Sequence, residues 1–158
     1  MDPIAEARRQ WQEHGWIDAA DGMATVTSII RAQQVLLQRV EEHLAPFGLS
    51  FARFELLRLL AFTRHGELPL GKLGARLQVH PTSITSAVNR LETQGLVERH
   101  PHPTDGRTTL AVITNAGRDI VERATKVLND EVFSAIGLTE RESTQLYKLL
   151  EKLRLDAQ

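Results

Sequence analysis

Cysteine is missing from all 158 residues, which removes disulfide frameworks, thiolate metal sites and thiol nucleophiles together. Long apolar runs are missing too. Every stretch with a helical period is interrupted by Arg, Gln or Glu well short of the roughly 20 residues a membrane span needs. The opening MDPIAEARRQ holds no apolar core of a secretory leader, so a cytoplasmic chain without membrane contact is expected. Nor does any Ser/His/Asp set, glycine-rich phosphate loop or paired-carboxylate arrangement emerge with support from its surroundings. No enzyme activity, catalytic residue or cofactor is therefore expected. With 42% hydrophobic residues the chain suits one domain of ordinary size, with no room for a second, catalytic one.

The six histidines give little ground for a metal. His100 and His102 alternate with prolines in a segment that reads as a loop, and an i, i+2 pair there can touch an ion. Loop histidines are far more often solvent-exposed or in contact with phosphate, and no metal site is expected. Charge is informative only when divided. From Arg64 to Arg118 seven basic residues face four acidic ones, leaving the remainder at −4 against a total of −1. That asymmetry places positive charge on the segment that would meet phosphates and repels the rest from them.

Within that segment, Pro81 fits a first helical position and Gly95 fits just past the end of the same helix. Ile84, Val88 and Leu91 recur at i, i+4 and i+7 and make one apolar stripe. On the other side lie Thr82, Thr85, Ser86, Asn89 and Thr93, all short and uncharged. That face suits base edges in a groove, although any exposed helix is polar on its outer side. After Gly95, Leu96–Arg99 and Arg107–Thr114 read as two short strands joined at a tip rich in Pro and Gly. Asp105 and Arg107 stand at the tip, where a guanidinium can enter a minor groove and a carboxylate two residues away can hold the tip in shape.

The pattern D-x-R-x-x-x-x-x-I-T from Asp105 to Thr114, preceded by R-L-E-x-x-G-L-V-E-R from Arg90 to Arg99, resembles the MarR family of winged helix-turn-helix regulators. The resemblance covers nearly the whole chain. It implies a mainly α fold with a small β-wing, in which a winged helix-turn-helix lobe adjoins a helical dimerisation lobe. Residues 1–158 are then one domain, with 1–22 as an N-terminal extension helix, 23–48 and 115–158 as dimerisation helices, and 50–114 as the DNA-binding lobe. A homodimer with twofold symmetry would set two recognition helices roughly 34 Å apart, matching a pseudo-palindromic operator in double-stranded DNA. The residues expected to touch DNA are Thr82, Ser83, Thr85, Ser86, Asn89 and Arg90 on the helix and Asp105, Arg107 and Thr108 on the wing. Asp105 is expected to orient Arg107 or to bridge back to Arg90. His80 departs from the family, which usually has Ser or Thr as the cap of this helix.

The rest of the chain fits the same frame. Met1 to Gly22 carries both tryptophans, Trp11 and Trp16, on a helix expected from about Ile4 to near Gly15, which either packs on the body or contacts a ligand. A helix from Ala24 to Leu44 stops at Pro46 and Gly48. Ser50 then caps a second, apolar on most sides, whose interruptions Arg53, Glu55 and Arg58 lie at a solvent edge, form an ion pair or touch a ligand. Leu68-Pro69-Leu70 resembles the short strand before the helix-turn-helix, and Lys72–Leu77 its supporting helix. Thr114 caps a helix from Asn115 to about Ile136, with Ile120, Ala124, Val127, Leu128 and Phe133 on its apolar side. That helix holds none of the histidines with which some MarR relatives bind zinc. Gly137 closes it, and Thr139 with Glu142 opens a last, leucine-rich helix.

MarR-like regulators commonly hold small aromatic or phenolic anions between the two lobes. This chain is similar to the urate-responsive subgroup in the spacing of Trp11 and in Glu55, which stands where that subgroup has Asp. At the subgroup's arginine in the recognition helix it has Ala87. A pocket lined by Trp11, Arg31, Phe51, Glu55 and Arg58, accepting an aromatic ligand other than urate, is therefore expected. A repressor released by such a ligand is the function this implies; the alternative is a winged-helix protein-interaction module without DNA readout.

Overall fold

The computed structural model describes residues 1–157. Seven α-helices and three strands follow one another as α1 (Pro3–Glu13), α2 (Ile17–Leu44), α3 (Phe51–Phe62), β1 (Glu67–Pro69), α4 (Leu70–Leu77), α5 (Pro81–Thr93), β2 (Val97–Pro101), β3 (Thr109–Ile113), α6 (Asn115–Leu128) and α7 (Glu140–Leu155). This is the mainly helical architecture with a small β-wing that the sequence implied. The strands form an antiparallel sheet in the order β1-β3-β2, with Leu68 opposite Ala111 and Arg99 opposite the same residue from the other side.

Local chemistry accounts for most of the boundaries. Ser50, Thr114 and Thr139 each accept a hydrogen bond from the backbone N–H three residues on, and Thr139 completes a capping box with Glu142. His80 does cap α5: its Nδ1 accepts from the Thr82 N–H at 3.1 Å, which requires the neutral ring with its proton on Nε2. The turn between α4 and α5 runs through Gln78, which carries φ of 55° without being glycine.

Two boundaries differ from the sequence reading. The first helix ends near Gly15 as expected, where φ of 85° suits glycine, but α2 begins at Ile17 rather than Ala24. Gly22 lies inside the helix. The helix from Asn115 does not run unbroken to Ile136, because its ladder widens to a π turn over Asn129–Phe133. Val132 follows Ala124 and Leu128 at i+4 and is buried, whereas Phe133, one residue further round, is exposed and does not share the apolar side of α6. Arg39 of α2 donates to the carbonyls of Glu131 and Ala135 at 2.7 and 2.9 Å, satisfying groups that the irregular turn would leave bare.

One core lies under the sheet and α3. Leu56, Leu57 and Leu60 of α3 meet Leu73 of α4, Val88 and Leu91 of α5, Val97 and Ala111 of the sheet, and Val121, Ala124 and Leu128 of α6, all with no exposed surface. Gly117 permits this closure. A Cβ there would stand 2.3 Å from the carbonyl oxygen of Leu96 and 2.8 Å from Ile113, so only glycine lets α6 begin against the wing. Elsewhere the helices are bare. Neither α1 nor α7 buries a single residue, α2 buries only Ala20, Val40 and Leu44, and Val26, Ile30, Leu36, Leu146, Leu149 and Leu153 are exposed. Among the described residues no helix is long and apolar enough to cross a membrane.

Candidate nucleic-acid interface

Helix α5 buries Ile84, Val88 and Leu91 and exposes Thr82, Ser83, Thr85, Ser86, Asn89, Arg90 and Thr93, as the helical period requires. Two of the hydroxyls are not free donors. Thr85 donates to the Pro81 carbonyl at 3.1 Å and Thr93 to that of Asn89 at 3.0 Å, so each presents mainly an acceptor outward.

Asn89 is held by a residue that the sequence reading passed over. Arg99 of β2 donates through Nη2 to the Asn89 side-chain carbonyl and through Nη1 to the Glu92 carboxylate. Among the described residues the Asn89 amide hydrogens have no partner, and its oxygen retains one lone pair. Asn89, Glu92, Thr93 and Arg99 together line a shallow depression along one flank of α5. A signal for Arg99 was present in the sequence: strand alternation puts it on the same face as the buried Val97, toward α5.

The opposite flank holds a second depression of about 450 Å³, lined by Ser50, Ala52 and Arg53 of the α3 start and by Ser83, Ser86, Ala87 and Arg90 of α5. Arg53 donates from Nε to the Ser50 hydroxyl at 3.0 Å and from Nη1 to Gln94 Oε1 at 2.9 Å. Gln94 in turn donates to the Gly48 carbonyl at 2.8 Å. Arg53 therefore lies neither at a bare solvent edge nor in an ion pair.

At the wing tip Asp105 works on the backbone. Its Oδ1 accepts from the Arg107 N–H at 3.0 Å and its Oδ2 from the Thr108 hydroxyl at 2.9 Å. These bonds, the Arg107 one foremost, hold the carboxyl below the usual range for aspartate. His102 closes the other side of the tip, its Nδ1 accepting from the N–H groups of Thr104 and Asp105. Asp105 thus orients Arg107 through the main chain. No hydrogen bond or ion pair among the described residues joins it to the Arg107 guanidinium or to Arg90, so the bridge to Arg90 does not form in this chain. The Arg107 side chain points into solvent with no partner of its own among them. No cluster of three or more potential metal ligands occurs among the described residues.

The residues expected to hold a ligand lie on three helices. Trp11 of α1 meets Trp16 edge to face at 5.3 Å, and the exposed Arg31 of α2 reaches only Gln34, at 3.5 Å. Phe51, Glu55 and Arg58 share α3. Phe51 stacks on Phe54, and burial raises the Glu55 pKa. Arg58 pairs with Glu122 at 2.8 Å, donates to Thr125 at 3.1 Å and lies 4.3 Å above the Phe62 ring, while its Nε is buried without a partner. No hydrogen bond or ion pair joins Trp11 or Arg31 to the α3 residues among the described ones, and neither depression beside α5 includes any of the five.

Residues 47–108, from the end of α2 through α5 to the wing tip, match the MarR family. The chain is 47% identical in sequence to Sco5413, a MarR family transcriptional regulator from Streptomyces coelicolor, and superposes on its crystal structure with a TM-score of 0.79 over 87% of this chain and 95% of that one. The chain belongs to the MarR family. Among other similar proteins, the HTH-type transcriptional regulator MhqR of Bacillus subtilis is 30% identical over 132 residues, 80% of this chain and 87% of that protein. The HTH-type transcriptional repressor IacR of Pseudomonas putida is 33% identical over 116 residues, covering 72% and 68%. A mutant MarR from E. coli complexed with operator DNA is 25% identical, with a TM-score of 0.77 over 85% of this chain and 96% of that one. In this MarR protein α4 and α5 form the helix-turn-helix, and β2 and β3 the wing.

Proposed function

We propose that this MarR protein is a dimeric, sequence-specific regulator of transcription that reads a pseudo-palindromic operator in double-stranded DNA. The observation that carries the reading is the exposed face of α5, which offers hydroxyls, an amide, a guanidinium and the Glu92 carboxylate paired with Arg99, and beyond Pro81 at its first position no aliphatic or aromatic side chain. Those groups suit base edges and phosphates, whereas an α5 that docked on protein would be expected to show apolar anchors. The likeness to a relative bound to operator DNA supports it further. Thr82, Ser83, Thr85, Ser86, Asn89 and Arg90 occupy the major groove, and the wing brings Arg107 to the minor groove with Asp105 and Thr108 shaping its backbone. Residues 50–114 are then the DNA-binding lobe. The exposed leucines of α2 and α7 are covered by a second copy, residues 115–158 and the long N-terminal helix forming the dimerisation lobe. Footprinting on the DNA upstream of the protein's own coding region tests the reading: a protected site with inverted half-sites about one helical turn apart is expected. No protection above that of random duplex sinks it in favour of a protein-interaction module.

The sense of regulation proposed is repression, as for the relative IacR, released by a small aromatic or phenolic ligand other than urate. Trp11, Arg31, Phe51, Glu55 and Arg58 line its pocket, which in the single chain is not assembled and awaits the partner subunit. Two observations favour α3 as its wall: the half-buried Glu55 and the unpartnered Arg58 Nε. Aromatic acids that bind there quench tryptophan fluorescence in the wild type more than in Trp11→Phe and release DNA. If none does both, α1 serves packing alone. The protein is proposed to act in the cytoplasm.

A further inference from the structure

The flank of α5 that faces α3 carries an electrostatic arrangement that internal contacts leave unresolved. Arg53 and Arg90 line the same depression, and among the described residues neither forms an ion pair. Partial burial and the nearby Arg90 charge both lower the Arg53 pKa. Glu41 opposes this more weakly, and its carboxylate is engaged with the Phe51 N–H at 3.2 Å. The groups that do touch Arg53, the Ser50 hydroxyl and the Gln94 carbonyl oxygen, are neutral and fix the guanidinium in place. Arg53, fixed by neutral partners, thus feels the charge of the exposed Arg90 across the depression they both line. An anion between them offsets that repulsion and accepts charge-assisted hydrogen bonds from Arg53, whose guanidinium is already positioned.

The geometry points to a seat for a backbone phosphate of double-stranded DNA, gripped by Arg53 and Arg90 with the Ser83 and Ser86 hydroxyls beside them. This rests on the proposed DNA reading and extends it: the interface leaves the recognition helix and includes the first turn of α3. A phosphodiester is the anion that suits the place. Ser83, Ser86 and Arg90 belong to the face that meets the groove, and a helix in the major groove is flanked by the phosphates of the strand it lies along. A seat made of charge and hydroxyls, with no base-edge contact, holds the register of α5 and carries no sequence information. Gln94, which ties Arg53 to the Gly48 carbonyl, acts as a positioning residue.

The test is equilibrium binding of the full-length protein to two duplexes, one from its own upstream DNA and one of random sequence, across a series of chloride concentrations. Arg53→Gln is expected to weaken both complexes by a similar factor, roughly three- to tenfold, and to flatten the dependence of log K on log salt by about one. Arg53→Lys, which keeps the charge, should restore most of the slope. If Arg53→Gln unfolds in a thermal melt, Arg90→Gln reads the same seat from the exposed side and should lower the slope alike. An unchanged slope and affinity, in a protein whose binding still falls with Arg107→Ala, overturns the seat but leaves the DNA reading standing. If the wild type binds neither duplex, the DNA reading falls and the seat falls with it. Inorganic phosphate should weaken wild-type binding no more than chloride at the same ionic strength. A phosphate-specific effect that Arg53→Gln abolishes while leaving DNA affinity and salt slope unchanged would mean a free anion occupies the site and would overturn the assignment to DNA.

Discussion

Leu57 and Leu149 are both leucines on amphipathic helices, yet Leu57 has no exposed surface and Leu149 is 64% exposed. The contrast extends to the regions around them. From α3 to α6 the apolar residues converge on one core, closed by Gly117, with side-chain caps at the starts of α3, α5 and α6. In α1, most of α2 and α7 they remain in solvent. We read this many exposed apolar side chains on regular helices as a surface for another molecule rather than a defect of packing. The first region is complete as a folding unit, and the second is the part proposed above to be covered by a second copy.

That comparison is most directly broken by removing the same side chain from each region. Leu57→Ala should cost about 2–5 kcal/mol, seen as a large fall in the melting temperature. Leu149→Ala should leave the melt of the dissociated chain within about 0.5 kcal/mol of wild type, while shifting the mass measured by sedimentation toward the monomer. Equal losses of stability at the two sites, with no change of mass, would mean that α7 is buried within its own chain.

The next effect lies on α5. Asn89→Ala removes an amide able to pair with adenine N6 and N7, and should reduce discrimination between operator and random duplex by about 1–3 kcal/mol. Equal loss on both duplexes would limit Asn89 to a role in holding Arg99. Arg107→Ala at the wing should leave thermal stability unchanged, lower affinity and reduce the salt slope by about one. Insensitivity of binding to this change would remove the wing from the interface.

The smallest effects expected are those of pH, and they run in opposite directions in the two carboxylates. Asp105 is depressed when folded, so its support of the wing tip is present above the unfolded value of about 3.9 and is lost as pH falls through the lower folded value. The Arg107 amide resonance should report that loss. Glu55 is raised by burial, so the folded chain retains its proton longer than the unfolded one, and stability declines as pH rises from the unfolded value through the folded one. Glu55→Gln should flatten that decline; an unaltered acid-range stability profile would place the carboxylate in water.

Much of the fold and candidate site was legible because it depends on residues close in sequence. Pro81 and Gly95 bracketed α5, the stripe Ile84, Val88, Leu91 named its buried side, and Thr114 with Gly117 announced α6. Errors lay in one boundary and one register. The first helix ended near Gly15 as expected, but α2 takes up at Ile17 rather than Ala24. Phe133 was placed on the apolar side although it stands five residues from Leu128, off the helical period, and the buried residue is Val132 at i+4. At the site, Arg99 and Arg53 were missed as partners of α5 because each reaches it across the fold, Arg99 from the wing to Asn89 and Arg53 from α3 to the flank of Arg90.

By itself the sequence determined which segments become helix and wing, which face of each is apolar and which residues cap the ends. These follow from backbone preferences, side-chain period and hydrogen bonds spanning a few residues. Tertiary structure alone decided which apolar faces are covered and which stay bare, since identical leucine stripes occur on both sides of that divide. It also decided which charges meet. Arg58 finds Glu122, Arg99 finds Glu92, and Arg53 is left beside Arg90 with neutral partners only. No pattern along the chain carries that information, because electrostatic pairing depends on distances in space that only the packing of α3, α5, α6 and the wing establishes.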